Sequence, residues 1–129
     1  MAKLSPDEIR NRLAQHHGSD SVTRHGMMRS LYMTAGIVEM RELCDAYWLV
    51  DLVASHFTHA RVRKDPFQVW KLVVNEETRQ ATVTMTDGNS QKPIVTQEIP
   101  FSDFPLPEFT IWVEGDTATE VVAMLPQER

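Results

Sequence analysis

The stretch "CDAYWLVDLVASHFTHARVRKDPFQVWKLVV", Cys44 to Val74, changes its apolar rhythm halfway along, and that change decides the fold. Before Pro66 the apolar residues recur at helical spacing: Tyr47, Trp48, Leu49, Val50, Leu52, Val53, Ala54 and Phe57. Such a segment is apolar nearly all round, so it reads as a central helix covered on more than one side. Asp45 is the expected N-cap, and the helix is expected to run to about His59. After Pro66 the period becomes two, and "FQVWKLVV" reads as a strand.

Upstream, "SPDEIRNRLAQHHG" carries a helix start. Ser5 is the N-cap, Pro6 takes the first helical position and Glu8 completes a capping box. Ile9 and Leu13 make one thin apolar stripe, and Gly18 is the expected stop. Residues 19–33 have loop or short-strand character. Thr34 caps a second helix that is expected to reach about Leu43.

Downstream the pattern stays strand-like. "NEETR" is a turn and "QATVTMT" alternates Ala81, Val83 and Met85 with threonines. "DGNSQ" is a turn, "PIVTQEI" a third strand, and "FTIWVE" with "TEVVAML" a last hairpin across Gly115 and Asp116. Pro100, Pro105 and Pro107 keep the segment between from regular pairing. The expectation is an α+β single domain over residues 1–129. About three helices in 1–64 pack on an antiparallel sheet of four to five strands in 65–129.

Bulk properties bound the function. At 129 residues the chain can bury a core of its own. No run approaches the roughly 18 apolar residues of a membrane span, and "MAKLSPDEIR" has no secretory h-region. Cys44 is the one cysteine, so no internal disulfide forms, and a cytoplasmic setting is expected. Residues 1–64 carry nine Lys/Arg and seven Asp/Glu, giving +2; residues 65–129 carry four and eleven, giving −7. The second half therefore repels phosphate backbones, which argues against direct nucleic-acid binding. The cluster Arg61, Arg63 and Lys64 can touch a phosphate, though cations after a helix more often face its C-terminal dipole.

The residues also carry a resemblance. Arg24-His25, Thr34, Gly36, "AYWLVD" (46–51), "FQVWKL" (67–72), "DFPL" (103–106) and "LP" (125–126) keep the order seen in a bacterial family known as a domain of unknown function. The chain resembles that family over most of its length. Members occur in chromosomes, plasmids and phages, so the resemblance hints at mobile elements; it implies no activity. Thr23 and Met33 stand where the family tends to have tyrosine, and Ala35 where it tends to have an acid.

Candidate chemistry is sparse. Asp51, Ser55 and His59 lie at i, i+4 and i+8 and form one helical stripe. Ser55 and His59 can meet, yet Asp51 lies beyond the serine and cannot orient the histidine as a triad requires. The plainer reading is a polar stripe with Asp51 bonded to a neighbouring loop or to Arg24. His56 and His59 have the i, i+3 spacing of a metal pair, to which His16, His17 and His25 could add ligands, but no second Cys and no HExxH or ExxH signature joins them. No metal and no cofactor is expected. Trp48, Trp70 and Trp112 read as core.

The expected function is that of a non-enzymatic binding protein from a mobile element. It would inhibit a host defence or nucleic-acid-handling complex by docking, as anti-CRISPR proteins do. Its partner would be a host protein with a basic surface, met by Asp103, Glu108, Glu114, Asp116 and Glu120. The alternatives are a small hydrolase-like or metal-dependent enzyme using the Asp51, Ser55 and His59 stripe, and a structural oligomer subunit, with a homodimer possible.

Overall fold

The computed structural model describes residues 4–17, 21–89 and 92–129. In chain order it contains α1 (Pro6–Leu13), β1 (Val22–Arg24), β2 (Leu31–Thr34), α2 (Ala35–Leu43), α3 (Tyr47–Ser55) and α4 (Ala60–Arg63). Then come β3 (Phe67–Val74), β4 (Ala81–Thr86), β5 (Val95–Ile99), β6 (Glu108–Asp116) and β7 (Glu120–Met124). Short 3₁₀ turns occupy His56–Thr58 and Pro126–Glu128. The α+β class stands, but the sheet is larger than expected. It has seven strands in the order β1-β2-β7-β6-β3-β4-β5.

Two differences follow from that order. The segment expected to be loop or short strand supplies a hairpin, with Thr23 opposite Met33 and Arg24 opposite Tyr32. And β2 runs parallel to β7, Tyr32 opposite Val122, so the sheet is mixed and not purely antiparallel. The helices are therefore not a block that precedes the sheet, because β1 and β2 fall between α1 and α2. Period-two reasoning missed β2 because "LYMT" is too short to show alternation.

Local chemistry explains the helix ends. Ser5 accepts from the Glu8 amide while the Glu8 carboxylate accepts from the Ser5 amide, the expected capping box. The expected stop at Gly18 lies outside the described residues, as do Ser90 and Gln91 of the expected turn. Thr34 caps α2 as expected. Asp45, by contrast, does not start α3. It has φ +50, and its amide donates to the Glu42 carbonyl while the Ala46 amide donates to Arg41. That is the left-handed closure that ends α2, a conformation aspartate tolerates. α3 begins at Tyr47 with no side-chain cap.

α3 is also less central than expected. Leu49, Val50, Val53 and Ala54 are buried, but Trp48 and Leu52 are half-buried and Tyr47, Asp51 and Ser55 face out. The helix stops at Ser55 and His59 caps the separate α4. On the sheet, Gln68, Trp70, Leu72 and Val74 of β3 turn toward the helices, where Trp70 stacks at 5.5 Å from His56. The Gln68 amide donates to the Val62 and Asp65 carbonyls and accepts from the Trp70 indole, so a buried polar group is fully used. Alternate residues of the same strands point away from the helices. Phe67, Val69, Lys71 and Val73 sit opposite Glu114, Trp112, Thr110 and Glu108 and form an outward face.

At the last hairpin, Gly115 and Asp116 are still paired, opposite Val121 and Glu120, so the turn falls on 117–119 and not across Gly115 as expected. Gly115 has φ +128, and a Cβ there would collide with the Glu120 carbonyl, which makes glycine obligatory.

Candidate functional site

The polar stripe of α3 comes apart in three directions. Asp51 Oδ1 lies 2.7 Å from His25 Nε2 in the loop that joins β1 to β2. His25 Nδ1 accepts from the Met27 and Met28 amides at 3.2 and 2.9 Å, which places the ring proton on Nε2, facing Asp51. Ser55 donates back to the Leu52 carbonyl at 2.6 Å, and His59 Nδ1 accepts from the Arg61 amide as a cap. Asp51, Ser55 and His59 are thus not brought together. The expected neighbour of Asp51 is a loop residue, His25, and not Arg24, which donates to the Tyr32 hydroxyl.

His25 is 5% exposed with both nitrogens engaged, so it works as a fastener: it ties the hairpin loop to α3. The outcome is a loop held in one shape with Met27 left 87% exposed at its tip. The adjacency of "RH" and the Asp51 of "AYWLVD" in the sequence pattern was the available signal, but pairing across 26 residues needs the fold.

His16 and His56 are also occupied. His16 Nε2 lies 3.0 Å from Glu39, which accepts from Arg12 as well, so α1 is tied to α2. His56 meets Gln97 of β5 at 2.8 Å. Among the described residues no group of three or more His, Cys, Asp or Glu is placed to hold a metal ion. Cys44 is buried, and desolvation pushes its thiol up to about 12.

The acidic residues expected to meet a partner are spread out. Glu108 and Asp116 mark the two ends of β6, with Glu114 between them, and Glu120 lies opposite Asp116. Glu108 pairs with Lys71 at 3.7 Å, and Glu114 accepts from Arg129 at 3.2 Å. Arg129 also lies over the Phe67 and Trp112 rings at 5.0 and 5.9 Å. Asp116 accepts from the Ala118 amide within the turn. Asp103 stands apart, exposed on the proline loop. That loop is held by Arg79, which has φ +63 and donates to the Ser102 and Phe104 carbonyls. The acids form a line along the outward face, not a compact patch.

Two residues escaped the sequence reading. Glu128 is buried and accepts from Thr34 Oγ1, the Gly36 amide and the Leu125 amide. Nothing in a lone acid near the end of the sequence signals that. Thr117 is buried with its hydroxyl unpartnered, in a turn that sequence alone reads as solvent-facing.

The arrangement defines an α+β protein with helices on one face of a mixed sheet and a partly apolar, charge-edged face on the other. The chain belongs to a family of unknown function (DUF6876), whose model matches residues 7–129. It is similar in fold to a protein of unknown function from Enterococcus faecalis known from a crystal structure. The two share 20% identity with a TM-score of 0.56, over 83% of this chain and 96% of that one. No curated protein matches. Among the described residues no helix is long and apolar enough to cross a membrane.

Proposed function

We propose that the protein is a docking module that binds another protein through the outward face of its sheet and performs no reaction of its own. The observation that supports this reading is the composition of that face. Phe67, Val69 and Trp112 form a half-buried apolar group beside Glu114, and Val73, 47% exposed, continues it past Lys71 to Glu108, so apolar surface is bordered by charge. Protein interfaces share that anatomy. The ion pairs to Lys71 and Arg129 are exposed and each is worth about 0–1 kcal/mol, so a basic partner can displace them. In its most specific form the module is an inhibitor encoded on a mobile element. It would occupy a basic groove of a host defence or nucleic-acid-handling complex.

The test is capture from bacterial lysate over a salt series, with wild type beside two variants. Reversing Glu108, Glu114 and Asp116 to lysine should weaken capture of the partner, as should Val73→Asp at the exposed end of the face. Salt should weaken it too, since screening acts over about 10 Å near 0.1 M. Recovery indifferent to both variants would place docking elsewhere. Ser55→Ala and His59→Ala should leave recovery unchanged.

A further inference from the structure

The outward face of the sheet holds a cradle that one of the chain's own side chains fills. Phe67 of β3 and Trp112 of β6 meet edge to face, with ring centres 5.4 Å apart at 76°. Glu114, opposite Phe67 in the strand register, sets a carboxylate beside them. The turn after β4 also presses on the Phe67 ring, where a Cβ at Gly88 would lie 3.1 Å from it. Arg129 lies across this cradle. Its guanidinium carbon is 5.0 Å from the Phe67 ring centre and 5.9 Å from that of Trp112, and its Nη2 donates to Glu114 Oε1 at 3.2 Å. The hold is loose. The Arg129 and Glu114 side chains are 54% and 41% exposed, and exposed ion pairs contribute little. Arg129 also uses one nitrogen on one oxygen, whereas a carboxylate can accept a guanidinium fork through two parallel bonds.

We propose that Phe67, Trp112 and Glu114 form a seat for an arginine side chain of the partner protein, and that Arg129 is a tethered stand-in which that arginine displaces. This rests on the docking reading above and gives the partner its chemistry. A guanidinium is flat, weakly hydrated, stacks on aromatic faces and forks onto a carboxylate. An ammonium is a compact, strongly hydrated point charge without a fork, so lysine suits the seat less well. Arg129 reaches it from a constrained position, because the neighbouring Glu128 is bound to Thr34 and Gly36. An arginine from outside carries no such tether and can take the two-bonded geometry. Until it arrives, Arg129 neutralises Glu114 and covers part of both rings.

The experiment is an NMR titration of the 129-residue chain with Nα-acetylarginine amide and, separately, Nα-acetyllysine amide, at matched ionic strength. The Trp112 indole N–H and the Gly88 amide report on the seat. The arginine probe should give saturable shifts with a Kd of about 10 mM, as expected of a single side chain, and the lysine probe should bind about fivefold more weakly. Arg129→Ala should tighten the arginine probe about fivefold, since the competing occupant is gone. Lys71→Gln removes a cation from the same face without emptying the seat, and should leave that Kd within about twofold. Trp112→Leu and Glu114→Gln should each erase the preference for arginine; Glu114 is partly exposed, so Glu114→Gln tests the seat even if Trp112→Leu fails to fold. Equal affinity for the two probes, no saturation by about 100 mM, or a Kd unchanged by Arg129→Ala would overturn the inference. The capture series separates it from the docking reading. A partner lost with Val73→Asp but recovered no better with Arg129→Ala keeps docking and sinks the seat. An arginine-selective seat beside capture indifferent to Val73→Asp keeps the seat and sinks docking through this face.

Discussion

The carboxylate of Glu128 lies 2.6 Å from Thr34 Oγ1 and 3.1 Å from the Gly36 amide, so a residue of the last 3₁₀ turn caps the second helix. Negative charge at a helix N-terminus is favoured by the dipole and by the free amides there. The contact also explains Gly36, where a Cβ would lie 2.5 Å from Glu128 Oε1.

Glu128→Ala should therefore destabilise the fold by about 3 kcal/mol, because unsatisfied buried donors cost about 1–3 kcal/mol each. Gly36→Ala should have a similar effect by expelling the same carboxylate. Urea denaturation of both variants and the double variant checks this. The double should cost much less than the sum, since both act through one contact.

His25→Ala should free the Met27 and Met28 amides and cost about 1–3 kcal/mol, the usual penalty when a buried partner is removed. Asp51→Ala should cost less, as its side chain is 55% exposed. Hydrogen exchange should show faster exchange at Met27 and Met28 in His25→Ala and little change in β3 or β6. Uniform acceleration would mean that the loop and the sheet open together.

Leu49 and Leu52 separate the two sides of α3. Leu49 is 2% exposed, so Leu49→Ala should cost about 2–5 kcal/mol through lost burial and a cavity. Leu52 is half-buried, and Leu52→Ala should cost about half as much or less. Equal melting temperatures for the two variants would contradict the observed rotation of the helix.

Cys44 gives a pH dependence with a definite sign. Its thiol is raised by burial to about 12, from an ordinary value of 9.0. The unfolded chain thus loses this proton first as pH rises, and stability from the neutral thiol is complete below pH 9. It should decline as pH climbs from there toward about 12. Cys44→Ala should flatten that part of the curve. Iodoacetamide at pH 8 should label the thiol only on unfolding.

Much of the fold was legible because it is written locally. The capping box at Ser5 and Glu8, the cap at Thr34 and the alternation of "FQVWKLVV" and "QATVTMT" each depend on residues a few positions apart. Asp45 misled because the residue type that caps helix starts also accepts the left-handed conformation that ends them. What could not be read joins distant segments: His25 to Asp51, Glu128 to Thr34, and the parallel pairing of β2 with β7. The acids of the second half could be counted, but their spacing along β6 and their partners Lys71 and Arg129 depend on strand register.

The strand order has a consequence for how the molecule is made. β6 and β7 sit between the β1–β2 hairpin and the β3–β4–β5 meander, and they leave the ribosome after both. Until then each group has an unpaired inner edge, at β2 and at β3, and open edges invite pairing with other chains. The last hairpin is the keystone that closes both edges at once. A chain truncated before Glu108 should aggregate more on release than the chain of residues 1–129, because both inner edges stay open.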